Sequence, residues 1–174
     1  MVERSEAGYD RRVVRQDEPR AYDTAAPGLP LAHGALIVGV HHIGLLVPDI
    51  AKTAEIYKHR YGYELMSEII LDRTQTAYVQ FLRLPGDSVL LELVSPDGEH
   101  SKLSNSLRKG GGLNHMCYAT SDIEAACRLL RAQQMMLLQA PVKAAAFPGR
   151  RIAWLMGSDR TPIELVEHAP GAAV

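Results

Sequence analysis

Nine residues of this chain recur 73 positions later, and that duplication restricts the fold more than any other feature. His42-Ile43-Gly44-Leu45-Leu46-Val47-Pro48-Asp49-Ile50 returns as His115-Met116-Cys117-Tyr118-Ala119-Thr120-Ser121-Asp122-Ile123. Glu92, in Leu90-Leu91-Glu92-Leu93-Val94, follows His42 by 50 residues, and Glu164, in Pro162-Ile163-Glu164-Leu165-Val166, follows His115 by 49. Each half therefore carries one His and one Glu in matching places. Two copies of a module commonly pack about a pseudo-twofold axis, so equivalent residues near that axis converge from both halves. Two imidazoles and two carboxylates meeting in this way describe a metal site: His42, Glu92, His115 and Glu164. Such a mixed set with open positions suits one divalent ion of Co, Ni, Mn, Fe or Zn rather than a closed thiolate zinc site.

Composition limits the rest. A chain of 174 residues that is 47% apolar supports one well-buried core. A net charge of -1 provides no broad basic field, which argues against nucleic acid as a partner. The two cysteines, Cys117 and Cys127, fit a reduced cytoplasmic protein better than a disulfide scaffold. The apolar run from Ala35 to Pro48 is too short for a bilayer span and contains two histidines, so it reads as a buried strand and no membrane association is expected.

Residues 1–35 carry eleven charges in their first 23 positions, then Pro27, Gly28, Pro30 and Gly34, and read as a flexible arm. A first βαβββ module is expected over 36–96: a strand at 36–47, a helix at 49–60 capped by Asp49, and strands near 64–71, 75–84 and 88–94, the last two joined by a Pro85-Gly86-Asp87 hairpin. Residues 97–112, ending in Gly110-Gly111-Gly112, form a linker. A second βαβββ module spans 113–168, with its helix at 122–134 and its last strands near 135–139, 150–156 and 162–167, followed by a tail at 169–174.

Strand alternation places His42 in phase with Gly44 and Leu46, and His41 on the other face. The repeat matches His115 to His42 and Asn114 to His41, so His41 is expected to be structural. Duplicated core packing with surface carboxylates is the plainer alternative for the four matched residues. Against it, an ionised carboxylate inside Leu-Leu-Glu-Leu-Val or Pro-Ile-Glu-Leu-Val is costly unless it is paired or metal-bound. Cys117 shares the phase of His115 and suits a small buried hydrophobe, while Trp154 and Tyr118 are expected to pack the core.

Several segments carry a family resemblance: Val40-His41-His42-Ile43-Gly44 with Val47-Pro48-Asp49-Ile50, Leu91-Glu92-Leu93-Val94-Ser95-Pro96, Gly111-Gly112-Leu113-Asn114-His115-Met116-Cys117, and Arg151-Ile152-Ala153-Trp154 with Ile163-Glu164-Leu165-Val166-Glu167. Over about residues 38–168 the chain resembles the vicinal oxygen chelate superfamily, which includes glyoxalases and bleomycin resistance proteins, and within it the methylmalonyl-CoA epimerases. The resemblance implies an α+β fold whose paired βαβββ modules curl into an eight-stranded cup around a divalent metal held by His42, Glu92, His115 and Glu164. It also implies a homodimer, and a small-molecule substrate such as a coenzyme A or carrier-protein thioester.

The expected activity is metal-dependent epimerase or isomerase chemistry, in which a proton α to a metal-bound carbonyl is removed by Glu164. A lyase like glyoxalase I shares the same ligand layout, and a non-catalytic small-molecule binding or resistance module is the other alternative. The epimerases carry a second carboxylate on the strand corresponding to 74–84, where this chain has no acid. Gln80 stands nearest and is assigned to orienting a substrate oxygen, which leaves water, Glu92 or Tyr78 to supply the second proton. Arg150, Arg151 and Tyr78 are the candidates for gripping substrate, with solvated loop charge the alternative for the two arginines.

Overall fold

A computed structural model describes residues 36–168. The expected arm at 1–35 and tail at 169–174 lie outside them. The elements in chain order are β1 (Ile37–Leu46), α1 (Ile50–Tyr61), β2 (Glu64–Leu65), β3 (Ile70–Asp72), β4 (Ala77–Arg83), β5 (Leu90–Pro96), α2 (Ser104–Arg108), β6 (Gly112–Thr120), α3 (Ile123–Ala132), β7 (Met136–Lys143), β8 (Arg151–Met156) and β9 (Pro162–Glu167). No helix among them is long and apolar enough to cross a membrane.

All nine strands belong to one open mixed sheet ordered β2-β4-β5-β1-β6-β9-β8-β7, with β3 also paired to β4. β1 and β6 run antiparallel at its centre, each flanked by a parallel partner, β5 and β9. The order on either side is the same, so the duplicated segments meet at the middle. His42 lies opposite Cys117, Ile43 opposite Met116 and Gly44 opposite His115, a register that exchanges one repeat for the other about the Ile43–Met116 pair.

The two helices that follow the duplicated strands start from the same device. Asp49 Oδ1 accepts from Lys52 N at 2.9 Å, and Asp122 Oδ1 accepts from Ala125 N at 2.9 Å, each satisfying an otherwise orphaned donor of the first turn. α1 packs Ile50 and Ala54 against Leu82 and Leu93, while α3 packs Ile123, Ala126 and Cys127 against Ala153, Leu155 and Leu165. Alternation sends the intervening residues to the other, concave face. There Ala77, Val79, Phe81 and Val94 form one cluster and Cys117, Ala119, Ile152 and Val166 another, with Phe147 packed against both.

The sheet has nine strands, not the expected eight, because the run at 64–71 is broken. Phe81 N–H donates to the Ser67 hydroxyl at 3.0 Å, and that hydroxyl donates in turn to Glu68 O at 2.8 Å, so a side chain takes over the ladder bond and splits the strand into β2 and β3. The Pro85-Gly86-Asp87 turn does join β4 to β5: Asp87 N–H bonds Leu84 O at 3.0 Å, and Gly86 adopts φ +85° at the third turn position, which favours glycine. The expected linker is partly helical, holding the single-turn α2, and β5 and β6 extend to its edges.

Candidate metal centre

Four buried side chains converge where the two halves of the sheet meet. β1 supplies His42, β6 His115, β5 Glu92 and β9 Glu164, and each is less than a tenth exposed. His42 Nε2 is 2.9 Å from Glu164 Oε2, 3.5 Å from Glu92 Oε2 and 3.1 Å from His115 Nε2. His115 Nε2 is 3.2 Å from Glu92 Oε2 and 3.4 Å from Glu164 Oε2. Two imidazole nitrogens and two carboxylate oxygens thus face one point, and the ligand atoms of His42, His115 and Glu164 all lie within 4.8 Å of one another. Borderline and hard donors in equal number fit a divalent first-row ion.

Without such an ion, protons must balance the buried carboxylates. Burial alone would lower the His115 imidazole, but hydrogen bonds to Glu164 and Glu92 outweigh it and carry it up to about 9. Burial pushes the Glu164 carboxyl upward, yet hydrogen bonds from His115 and His42 hold it well below the usual carboxylate range. Because His115 sits above its ordinary 6.5, its proton stabilises the metal-free fold fully below that pH, and the effect is lost as pH rises through about 9. A bound ion needs the same nitrogen lone pair. Metal affinity is therefore expected to climb by up to about tenfold per pH unit below 9 and then level off. Chelator competition across that range checks it, and an affinity independent of pH would exclude His115 as a proton-competing ligand.

Aromatic rings hold the two imidazoles in place. β4 and β8 are equivalent in the repeat, with Phe81 beside Glu92 and Trp154 beside Glu164 in register. Phe81 meets His42 edge to face at 5.4 Å between centroids, and Trp154 meets His115 in the same way at 4.8 Å. Trp154 is therefore part of the site and not only of the core. The sequence offset of 73 between Phe81 and Trp154 was the available signal. Behind the ligand nitrogens, His115 Nδ1 lies 2.9 Å from Asn114 Oδ1, and His42 Nδ1 lies 2.9 Å from His41 Nδ1.

The carboxylates and His115 open into a cavity of about 430 Å³. Its walls are largely apolar, formed by Ala77, Val79, Val94, Phe147, Ile152 and Trp154. Polar groups gather elsewhere on its lining, where Gln75 Nε2 donates to Gln139 Oε1 at 3.0 Å and so links the two halves. Sequence reasoning did not single out Gln75, Gln139 or Phe147.

The other sequence candidates lie elsewhere. On β4 the cavity-facing phase is Ala77, Val79 and Phe81, so Gln80 and Tyr78 point the other way. Gln80 Nε2 donates to Ser67 O at 3.1 Å, and Tyr78 is exposed outside the lining. Arg151 turns to the surface, 2.6 Å from Glu167 and 2.9 Å from Glu124. Arg150 also lies outside the lining: it donates to Glu167 O, stacks over Phe147 at 5.1 Å, and reaches His41 Nε2 at 3.2 Å. His41 does not occupy the face opposite His42. A bulge places two β1 residues against one of β6 between Val40 and His42, so both rings are buried on the concave side, and His41 packs on Phe147 at 4.8 Å. Burial, followed by the charges of His42 and Arg150, lowers the His41 imidazole to about 3.

Comparison with known proteins agrees with this architecture. The human mitochondrial methylmalonyl-CoA epimerase is 29% identical over 122 residues, covering 69% of this chain and 67% of the relative. The crystal structure of the Mycobacterium tuberculosis methylmalonyl-CoA epimerase superposes with a TM-score of 0.71 at 30% identity, over 79% of this chain and 92% of that one. A variant of the Streptomyces coelicolor methylmalonyl-CoA epimerase, in complex with 2-nitronate-propionyl-CoA, superposes with a TM-score of 0.68 at 27% identity, over 76% of this chain and 99% of that one. Residues 41–154 match the family profile described as Glyoxalase/Bleomycin resistance protein/Dioxygenase superfamily, and to that superfamily the chain belongs.

Proposed function

We propose that this protein is a metal-dependent epimerase or isomerase that removes a proton α to the carbonyl of an acyl thioester of the methylmalonyl-CoA type. The observation that carries the reading is the convergence of His42, Glu92, His115 and Glu164 at the end of an apolar cavity. These four residues would hold one divalent ion, which supplies Lewis acidity at a substrate oxygen when bound. The three relatives compared are methylmalonyl-CoA epimerases, one of them in complex with 2-nitronate-propionyl-CoA, which supports a coenzyme A thioester as substrate.

Glu164 is the base in this reading, because it is buried, anionic and placed at the cavity end. Inversion needs a second proton-transfer group. β4 presents Ala77 and Val79 to the cavity, and Tyr78 lies outside it. Asp72, another carboxylate on the lining, is engaged by Gln75 N–H, so Glu92, which converges with Glu164 on the histidine pair, is assigned the second role. The two glutamates come from equivalent strands on opposite sides of the histidine pair, as two-face chemistry requires. Val79, Val94 and Phe147 provide an apolar seat for the α-substituent and keep water from the reacting carbon.

Incubating the metal-loaded protein with methylmalonyl-CoA in deuterated water is expected to place one deuterium at the α-carbon and to scramble its configuration. Exchange no faster than without protein rejects this substrate. Turnover of a hemithioacetal in its place would assign the site to glyoxalase-type chemistry.

A further inference from the structure

The two ligand histidines are supported from behind in different ways, and the difference lies in where their protons sit. Asn114 and His41 hold the same place in the repeat, each directly before its ligand. Asn114 Oδ1 only accepts, so a neutral His115 carries its proton on Nδ1 and keeps a bare Nε2 toward the centre. His41 is constrained from its far side. Its Nε2 faces the Arg150 guanidinium at 3.2 Å, and a guanidinium has donors and no acceptor. His41 Nε2 must therefore accept, its proton occupies Nδ1, and that nitrogen donates to His42 Nδ1 at 2.9 Å. The His42 proton is left on Nε2, where it faces Glu164 Oε2 at 2.9 Å. Arg150 is fixed in this position, since its Nε donates to Glu167 O and its guanidinium lies over Phe147.

We propose that Arg150, His41 and His42 form a tautomer relay in which Arg150 opposes metal loading. This rests on the metal centre of the proposed function. An ion at His42 Nε2 requires the His42 proton to move to Nδ1, which reverses the hydrogen bond between the rings and makes His41 Nδ1 the acceptor. The His41 proton then occupies Nε2, facing the Arg150 N–H groups, and that contact is lost. Each ring carries one proton before and after, so no proton enters or leaves the pair. Arg150 is thus a positioning residue set against the centre, and its equivalent support in the second half, Asn114, needs no rearrangement.

Nitrogen NMR of the full-length protein in mildly alkaline buffer, with and without zinc, reads the tautomers directly. The zinc-free protein is expected to show protons on His42 Nε2 and His41 Nδ1, and the zinc-loaded protein the reverse at both rings. Arg150→Met removes the opposing donor and is expected to tighten zinc binding about three- to tenfold. His41→Phe removes the acceptor that the loaded His42 needs, and should weaken binding by about tenfold or more. A merely structural Arg150 would weaken binding when replaced. Zinc uptake with unchanged tautomers, or equal or weaker binding by a folded Arg150→Met protein, overturns the relay and leaves the metal centre standing. Absence of zinc uptake by the wild-type protein overturns both.

Discussion

A metal-loaded Glu164→Gln protein is expected to lose α-proton exchange by about 10²- to 10⁴-fold, the usual contribution of a positioned general base, while keeping most of its metal. His42, Glu92 and His115 remain as ligands, and an amide oxygen can still coordinate weakly. The two roles therefore separate in one variant. The depressed Glu164 carboxyl would make a poor base as it stands, but the groups that depress it are His115 and His42, through hydrogen bonds to their ring nitrogens. Those are the nitrogens that would turn to an ion, and an ion held by Glu164 would keep its carboxyl low as well, so the base role requires Glu164 to swing away from the ion as it takes the proton. Deuterium incorporation and bound metal are measured on the same sample. Full exchange by a metal-loaded variant would remove Glu164 from the proton-transfer role and leave Glu92 as the acid-base group.

The convergence of His42, Glu92, His115 and Glu164 was legible in the sequence because a duplication needs no knowledge of side-chain direction. Residues matched by the repeat were brought together by one pseudo-axis, at the Ile43–Met116 pair. The helix caps were legible for a local reason: Asp49 and Asp122 stand directly before their helices and satisfy their first-turn donors in the same way. What failed depended on strand phase. One extra residue in the β1–β6 register brings His41 to the same side as His42, and no propensity in Val40-His41-His42 announces that bulge. On β4 the phase was uncertain by one residue, and one residue sends every side chain to the other face. Gln80, taken as the residue nearest the epimerases' second carboxylate, and Tyr78 stand out of phase with Ala77 and Val79, which line the cavity.

The arginines are engaged outside the cavity lining for a different reason. Their positions next to the cavity strands were correct, but Glu124 and Glu167, distant in sequence, capture Arg151, and the Glu167 carbonyl with Phe147 captures Arg150. Such pairings are set by tertiary contacts with no short-range signal. The apolar cavity was recoverable only after the phase of β4 and β8 was known, since its lining alternates with core residues along both strands.

The Gly44→Ala protein is expected to lose at least about 100-fold in metal affinity, beyond the effect typical of an outer-shell substitution. Gly44 lies opposite His115 across the central strand pair, and a Cβ built there would sit 2.1 Å from His115 Cε1 and 2.3 Å from its Nδ1. Neither distance is tolerable, and the ring has nowhere to retreat. Trp154 closes one side, Asn114 holds Nδ1, and Nε2 is gathered with the two carboxylates. The backbone at Gly44 is ordinary strand, so the glycine is required for space and not for conformation. Its repeat partner Cys117 carries a side chain opposite His42, so only the second-half imidazole depends on a missing Cβ. Forced displacement of a buried ring also costs about 1–3 kcal/mol of stability. Because metal ligation tolerates only about 0.2 Å of misplacement, affinity should fall even where the fold survives. Circular dichroism and metal titration on the same sample test this. Wild-type metal affinity in a folded Gly44→Ala protein would show that His115 Nε2 is not a ligand.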